Sequence, residues 1–113
     1  MEEHRKHPRL PLHWKVTIRQ NEAGPILLSG ETHEISLEGA SILSEHNLLL
    51  KGEVLVELLY PPEMAGKPLK PLKIKSKMVY TIYSSDHYCF RTGVNFRQFL
   101  SDAKSILEKR LGQ

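Results

Sequence analysis

The stretch LKIKSKMVYTIYSSDHYCFRTGVNF, residues 72–96, determines the fold class of this chain. Its first seven residues alternate apolar or small side chains with three lysines, which is the period-two pattern of a strand with one buried face. Residues 84–87 form a polar hairpin connection. In residues 88–96 the face that carries Phe90 and Val94 is largely apolar, whereas Gly93 leaves the other face bare for a ligand or another backbone. We therefore predict two antiparallel strands joined by a hairpin.

The segments on either side predict more short strands. Residues 54–60 carry apolar side chains on both faces, which indicates a strand covered on both sides. After Ser101 and Asp102, either of which can cap a helix, an apolar stripe at helical spacing predicts a short C-terminal helix. Five or six strands in 113 residues favour an antiparallel barrel or sandwich. The further predicted strands are residues 14–19, 26–36, 40–44 and 54–60.

Composition predicts one soluble domain. The chain of 113 residues can bury a single core without a disulfide, and its one cysteine, Cys89, excludes an internal one. No apolar run approaches the roughly 20 residues that span a bilayer, and the charged N-terminus is unlike a signal peptide. We expect a cytoplasmic protein. Its net charge of +3 permits an anionic partner without requiring one.

Two short segments carry the chemistry. Arg5 and Arg9 are spaced i, i+4 on a segment that Pro8 keeps non-helical, and each guanidinium can bind phosphate bidentately or stack on a ring. Glu34, Ser36 and Gly39 place a carboxylate, a hydroxyl and a glycine at the end of a predicted strand. The two segments together could bind a ligand that carries two negative charges and a base with hydrogen-bonding groups along its edge.

This pattern resembles the PilZ domain, the bacterial receptor family for cyclic di-GMP. The family pattern RxxxR matches Arg5 and Arg9, and the pattern (D/N)xSxxG matches Ser36 and Gly39. Further similarity in residues 50–54 and 91–96 extends the resemblance over nearly the whole chain. It implies a mainly β fold, a six-stranded antiparallel barrel with a short C-terminal helix. It also implies a signalling receptor and not an enzyme.

The resemblance assigns ligand-binding roles to residues of both segments. They are Arg5, Arg9, Glu34, Ser36 and Gly39. Two positions depart from the family pattern, because Glu34 stands where Asp or Asn is usual and His4 stands where many nucleotide-binding members have another Arg. Both departures bear on affinity and on the number of ligands held.

We therefore predict a flexible N-terminal arm, residues 1–12, that carries RxxxR, followed by a PilZ-like barrel with its helix at residues 13–113. In this hypothesis cyclic di-GMP orders the arm near Ser36 and Gly39, with Asn95 or Arg97 as further contacts, and the change is passed to an unidentified protein partner. The alternative is a PilZ-fold interaction module that does not bind nucleotide.

Other functions are disfavoured by the residue pattern. The six histidines form no metal-ligand spacing, so no metal or other cofactor is predicted. Nothing resembles a catalytic constellation. One face of the predicted strand, which we call the lysine face, carries Lys73, Lys75 and Lys77. This pattern indicates either a solvated strand face or lysines that protect a sheet edge from pairing. The alternative is a face that binds an anion. Single-stranded nucleic acid would need exposed aromatic residues, and the pattern around Tyr80, Tyr83 and Tyr88 favours the core.

Overall fold

Six antiparallel strands close into a barrel in the order β1-β2-β3-β6-β5-β4. The computed structural model describes residues 9–47, 52–61 and 71–112. The elements are β1 (Lys15–Arg19), β2 (Ile26–Ile35), β3 (Gly39–Ser44), β4 (Gly52–Leu59), β5 (Leu72–Ser84), β6 (Cys89–Phe99) and α1 (Ala103–Arg110). The predicted barrel with one C-terminal helix is confirmed. Among the described residues no helix has the length and apolar character needed to cross a bilayer.

The core is built from the inward-facing residues of the alternating strands. Ile18, Ile35, Ile42, Leu58 and Ile74 are each fully buried inside the barrel. Burial of side chains of this size is the main stabilising term of such a domain, since each contributes roughly 1.5–3 kcal/mol. The predicted alternation in residues 72–78 is confirmed, and the apolar stripe of α1 packs into the same core through Ala103, Leu107 and Leu111.

Strand β4 is buried on both faces, as predicted. Its outer face carries Leu55 and Glu57, and the Glu57 carboxylate accepts hydrogen bonds from Arg19 Nε at 2.6 Å and from Thr17 Oγ1 at 3.0 Å. A carboxylate can be buried here because both neighbours on β1 are donors. This pairing joins β1 to β4, where Thr17 lies opposite Glu57.

The structure corrects two predictions about the surface. The barrel is closed, and β5 is hydrogen-bonded to both β4 and β6, so the lysine face does not protect a free edge. Tyr83 and Tyr88 are not in the core but are 57% and 84% exposed. The β5–β6 hairpin continues beyond Met78, the last residue paired with β4, so its alternating side chains no longer meet the barrel interior.

The start of the helix also differs from the prediction. Asp102 occupies the N-cap position of α1 but makes no side-chain capping bond, and Ser101 adopts a left-handed conformation with φ of 53°. At the other end the guanidinium of Arg110 lies 4.7 Å from the ring centre of Tyr60, which in turn contacts Trp14. The helix is therefore held by packing and ring contacts more than by its cap.

Candidate functional site

The tight connection between β2 and β3 is organised by the Ser36 hydroxyl. Ser36 is 1% exposed, and its Oγ accepts hydrogen bonds from the backbone N–H groups of Glu38 at 3.0 Å and Gly39 at 3.3 Å. The Ser36 N–H donates to the Gly39 carbonyl at 2.8 Å. A serine suits this position because a short hydroxyl can satisfy backbone donors that the turn leaves unpaired. The observed role of Ser36 is thus to hold the turn.

Gly39 is required by a close approach of β6. A Cβ atom at Gly39 would lie 2.2 Å from the carbonyl oxygen of Val94, whereas its φ is not in the left-handed region. The Phe96 N–H donates to the Glu38 carbonyl at 2.8 Å. This hydrogen bond, beyond the last paired residues of β3 and β6, also holds the turn against β6. Gly39 therefore permits contact between two strands and not a special backbone conformation.

The end of the N-terminal segment is held against this turn. Leu10 and Ile35 exchange backbone hydrogen bonds, with the Leu10 N–H to the Ile35 carbonyl at 2.8 Å and the reverse bond at 2.9 Å. Ile35 lies between Glu34 and Ser36. The pairing therefore brings Arg9, the residue before Leu10, next to the predicted site segment of residues 34–39. Arg9 and Glu34 are both half-buried.

Thr32 fixes the chain between this pairing and β1. Its hydroxyl donates to the Leu12 carbonyl and accepts from the Trp14 N–H at 2.8 Å. Arg5 and His4 lie outside the described residues, as does most of the predicted arm. The structure thus brings together four of the five predicted site residues, namely Arg9, Glu34, Ser36 and Gly39.

The outer face of the barrel beside the turn contains Asn95, which the sequence suggested as a further contact, and Lys77, which it did not assign to this site. In one row across the strands, Gly39 lies opposite Asn95 and Asn95 lies opposite Lys77. Asn95 and Lys77 are exposed. Lys77 belongs to the lysine face, but its position next to the turn depends on strand register, which sequence alone does not determine.

The next row contains Glu34, Ser41, Gly93 and Tyr80 in neighbouring strands. A Cβ atom at Gly93 would lie 2.1 Å from Cε2 of Tyr80, so the tyrosine ring covers the face that we expected to be bare. Ser41 is 1% exposed, and its hydroxyl has no hydrogen-bond partner in the described structure. This row therefore consists of polar side chains around Gly93, which the Tyr80 ring covers.

A sequence model of the PilZ domain matches residues 3–113. The chain belongs to the PilZ domain family. None of the curated proteins matches it. The predicted membership is therefore confirmed over almost the full chain.

Solved structures share the fold of this PilZ domain. The Bacillus subtilis inhibitor of motility MotI/DgrA matches with a TM-score of 0.72 and 11% identity, over 99% of this chain and 53% of that one. Escherichia coli YcgR in complex with c-di-GMP matches with a TM-score of 0.67 and 12% identity, over 97% and 45%. The Klebsiella pneumoniae MrkH–c-di-GMP complex matches with a TM-score of 0.62 and 18% identity, over 97% and 51%. This chain spans about half the length of these three proteins.

Proposed function

We propose that this PilZ domain is a receptor for cyclic di-GMP that passes the signal to a protein partner. The observation that carries the proposal is the Leu10–Ile35 pairing, because it places Arg9 beside the turn formed by Glu34 to Gly39. Family membership supports it, as do the c-di-GMP complexes of the structural relatives YcgR and MrkH.

The chemistry of the ligand matches these side chains. Two phosphodiester groups carry two negative charges, and the guanidiniums of Arg9 and Arg5 can bind them bidentately. Arginine can also read the O6 and N7 acceptors of a guanine edge. The Glu34 carboxylate can accept from the N1–H and N2–H donors on the other edge of the base. Asn95 and Lys77, in the adjacent row, add a polar contact and a positive charge on the same face.

In this proposal Ser36 and Gly39 act mainly by shaping the turn. The Ser36 hydroxyl is already bonded to two backbone donors, so the turn is formed before any ligand arrives. A preformed turn lowers the ordering entropy that binding must overcome. The part that changes is the arm before Leu10, because Leu10 and Leu12 are already hydrogen-bonded to β2. This part becomes ordered when the phosphates bridge Arg5 and Arg9.

The ordering step has its own test. Backbone 15N relaxation of the arm before Leu10 should show lower mobility with ligand than without it. Equal mobility in both states, with the ligand shown to be bound, would contradict the switch while leaving the receptor assignment intact.

Titration calorimetry with cyclic di-GMP tests the receptor assignment. We expect binding by the wild-type chain and a loss of about 10- to 100-fold in Arg9→Ala, the effect of removing one charge-assisted contact. Lys104→Ala removes an exposed charge on α1 and serves as the charge-matched control, and GMP serves as the ligand control. If folded wild-type protein gives no heat with cyclic di-GMP, the receptor assignment is wrong.

The second candidate function is an interaction module that does not bind nucleotide. It is favoured by Glu34 in place of Asp or Asn and by the hairpin tip, where Ile82, Tyr83 and Tyr88 are exposed. Exposed aromatic residues are typical anchors of protein interfaces. This function predicts a stable protein complex whose formation is unaffected by cyclic di-GMP.

A further inference from the structure

Lys77 is the residue of the lysine face that lies in the same row as the turn between β2 and β3. Gly39 lies opposite Asn95, and Asn95 lies opposite Lys77. Neighbouring strands are about 4.7–4.9 Å apart, so two strand spacings, about 10 Å, separate Lys77 from Gly39. Lys77 is exposed, whereas its chain neighbours Ser76 and Met78 are buried. The Lys77 side chain therefore stands on the outer face of the barrel, beside the proposed nucleotide site.

On its other side Lys77 faces a carboxylate. Glu53 of β4 lies directly opposite Lys77 and is also exposed, and the next residue, Val54, belongs to the core. Both side chains therefore stand on the same outer face, and the Cβ atoms of such a pair are about 4.5–5.5 Å apart. No direct ion pair joins them in the described structure, so Glu53 attracts the Lys77 ammonium without fixing it.

The other two lysines of this face have different neighbours on β4. Lys73 lies opposite Glu57, which is buried and whose carboxylate already accepts two hydrogen bonds. Lys75 lies opposite the apolar side chain of Leu55. Lys77 thus differs from both in facing an exposed carboxylate on one side and the proposed nucleotide site on the other.

This arrangement suggests how the affinity of the site is set, an inference that rests on the proposed function. We propose that Glu53 is a positioning residue that weakens the binding of cyclic di-GMP by competing with the ligand phosphates for the Lys77 ammonium. A phosphodiester beside the turn attracts Lys77 toward β3, and Glu53 attracts it toward β4. Glu53 lies one strand farther from the turn than Lys77, so it acts through the lysine and not by contact with the ligand.

Calorimetric titration of the full chain with cyclic di-GMP tests the competition. Glu53→Gln removes the charge and keeps the size of the side chain, and we expect its Kd to be about 2- to 5-fold lower than that of wild type, the effect of one pair of exposed charges. Lys77→Ala should raise the Kd about 2- to 10-fold. In the Lys77→Ala background, Glu53→Gln should change the Kd less than about 1.5-fold, whereas in a Lys75→Ala background it should keep its full effect.

Salt dependence separates an electrostatic effect from a structural one. The difference between wild type and Glu53→Gln should disappear at about 1 M salt, where the Debye length is about 3 Å. Glu45→Gln is the charge-matched control, because Glu45 is exposed and lies six residues, about 20 Å of strand, beyond Gly39. It should bind cyclic di-GMP with the wild-type Kd at every salt concentration, with folding of all variants checked by circular dichroism.

The possible results distinguish this inference from the receptor assignment. If wild type binds cyclic di-GMP but Glu53→Gln binds it no more tightly, the competition does not exist and the receptor assignment stands. Equal tightening by Glu53→Gln with and without Lys77 would also overturn the proposal, since the carboxylate would then act on the ligand directly. If folded wild type does not bind, both the receptor assignment and this inference are wrong.

Discussion

At Gly39 a Cβ atom would fall 2.2 Å from the Val94 carbonyl oxygen, with no flexible side chain to move aside. We expect Gly39→Ala to lower the free energy of unfolding by about 1–3 kcal/mol, the range found for forced overpacking. Urea denaturation measures the change. Gly24→Ala is the matched control, because a Cβ there meets atoms at 3.4 Å, an ordinary contact. Equal effects of the two substitutions would show that the β3–β6 approach is not the cause.

Ser36 and Ser41 form a second matched pair, since both are 1% exposed and lie near the same turn. Ser36→Ala removes the acceptor of two backbone N–H groups and should cost about 1–3 kcal/mol of unfolding free energy. Ser41→Ala removes a buried hydroxyl without a partner in the described structure, so it should be neutral or stabilising. Equilibrium unfolding of both variants tests the contrast, and a reversed order would refute the assigned hydrogen bonds.

For the individual site residues, the sequence predicted which of them lie close together but not the structural role of each side chain. The pattern in residues 34–39 predicts part of a ligand site, and the structure places Arg9, Glu34, Ser36 and Gly39 near one another. That Ser36 is turned inward to the backbone depends on the local path of the turn. That Tyr80 covers Gly93 depends on a pairing between β5 and β6 with two register shifts, which no local pattern encodes.

Among the secondary-structure elements, the β5–β6 hairpin offers a test of side-chain coupling. Gly93→Ala should destabilise the wild-type protein, because its Cβ collides with the Tyr80 ring. The same substitution in a Tyr80→Ala background should cost less, because the obstacle is absent. A double-mutant cycle by urea denaturation measures this coupling, for which neighbouring residues typically show about 0.5–3 kcal/mol. Additive effects would mean that the ring does not restrict this position.

The existence of most strands followed from periodicity, because a strand with one buried face alternates accordingly, whereas β4 carries apolar residues on both faces. The predicted burial of Tyr83 and Tyr88 was wrong because the hairpin leaves the barrel there. In this part of the hairpin the side chains still alternate, but the barrel core no longer lies beneath them. A prediction from alternation alone therefore buries residues that are exposed in the structure.

For the whole molecule, ligand binding should appear as added stability. A ligand that binds only the folded state adds about 2.7 kcal/mol to the unfolding free energy at a free concentration of 100 times its Kd. We expect cyclic di-GMP to raise the urea midpoint of the wild-type chain accordingly, and GMP to leave it unchanged. Arg9→Ala should respond only at correspondingly higher ligand concentrations. An identical response of wild type and Arg9→Ala would remove Arg9 from the site.

Binding of cyclic di-GMP at the turn between β2 and β3 is tested most directly by a 1H–15N correlation spectrum of the full chain titrated with this ligand. We expect the largest amide shifts at Arg9 and Leu10, in residues 34–39, and at Asn95 and Phe96. The turn of residues 20–25 and helix α1 should stay unchanged. A folded protein whose spectrum does not respond, or whose shifts are confined to α1, would contradict the claim that this PilZ domain binds cyclic di-GMP at the turn between β2 and β3.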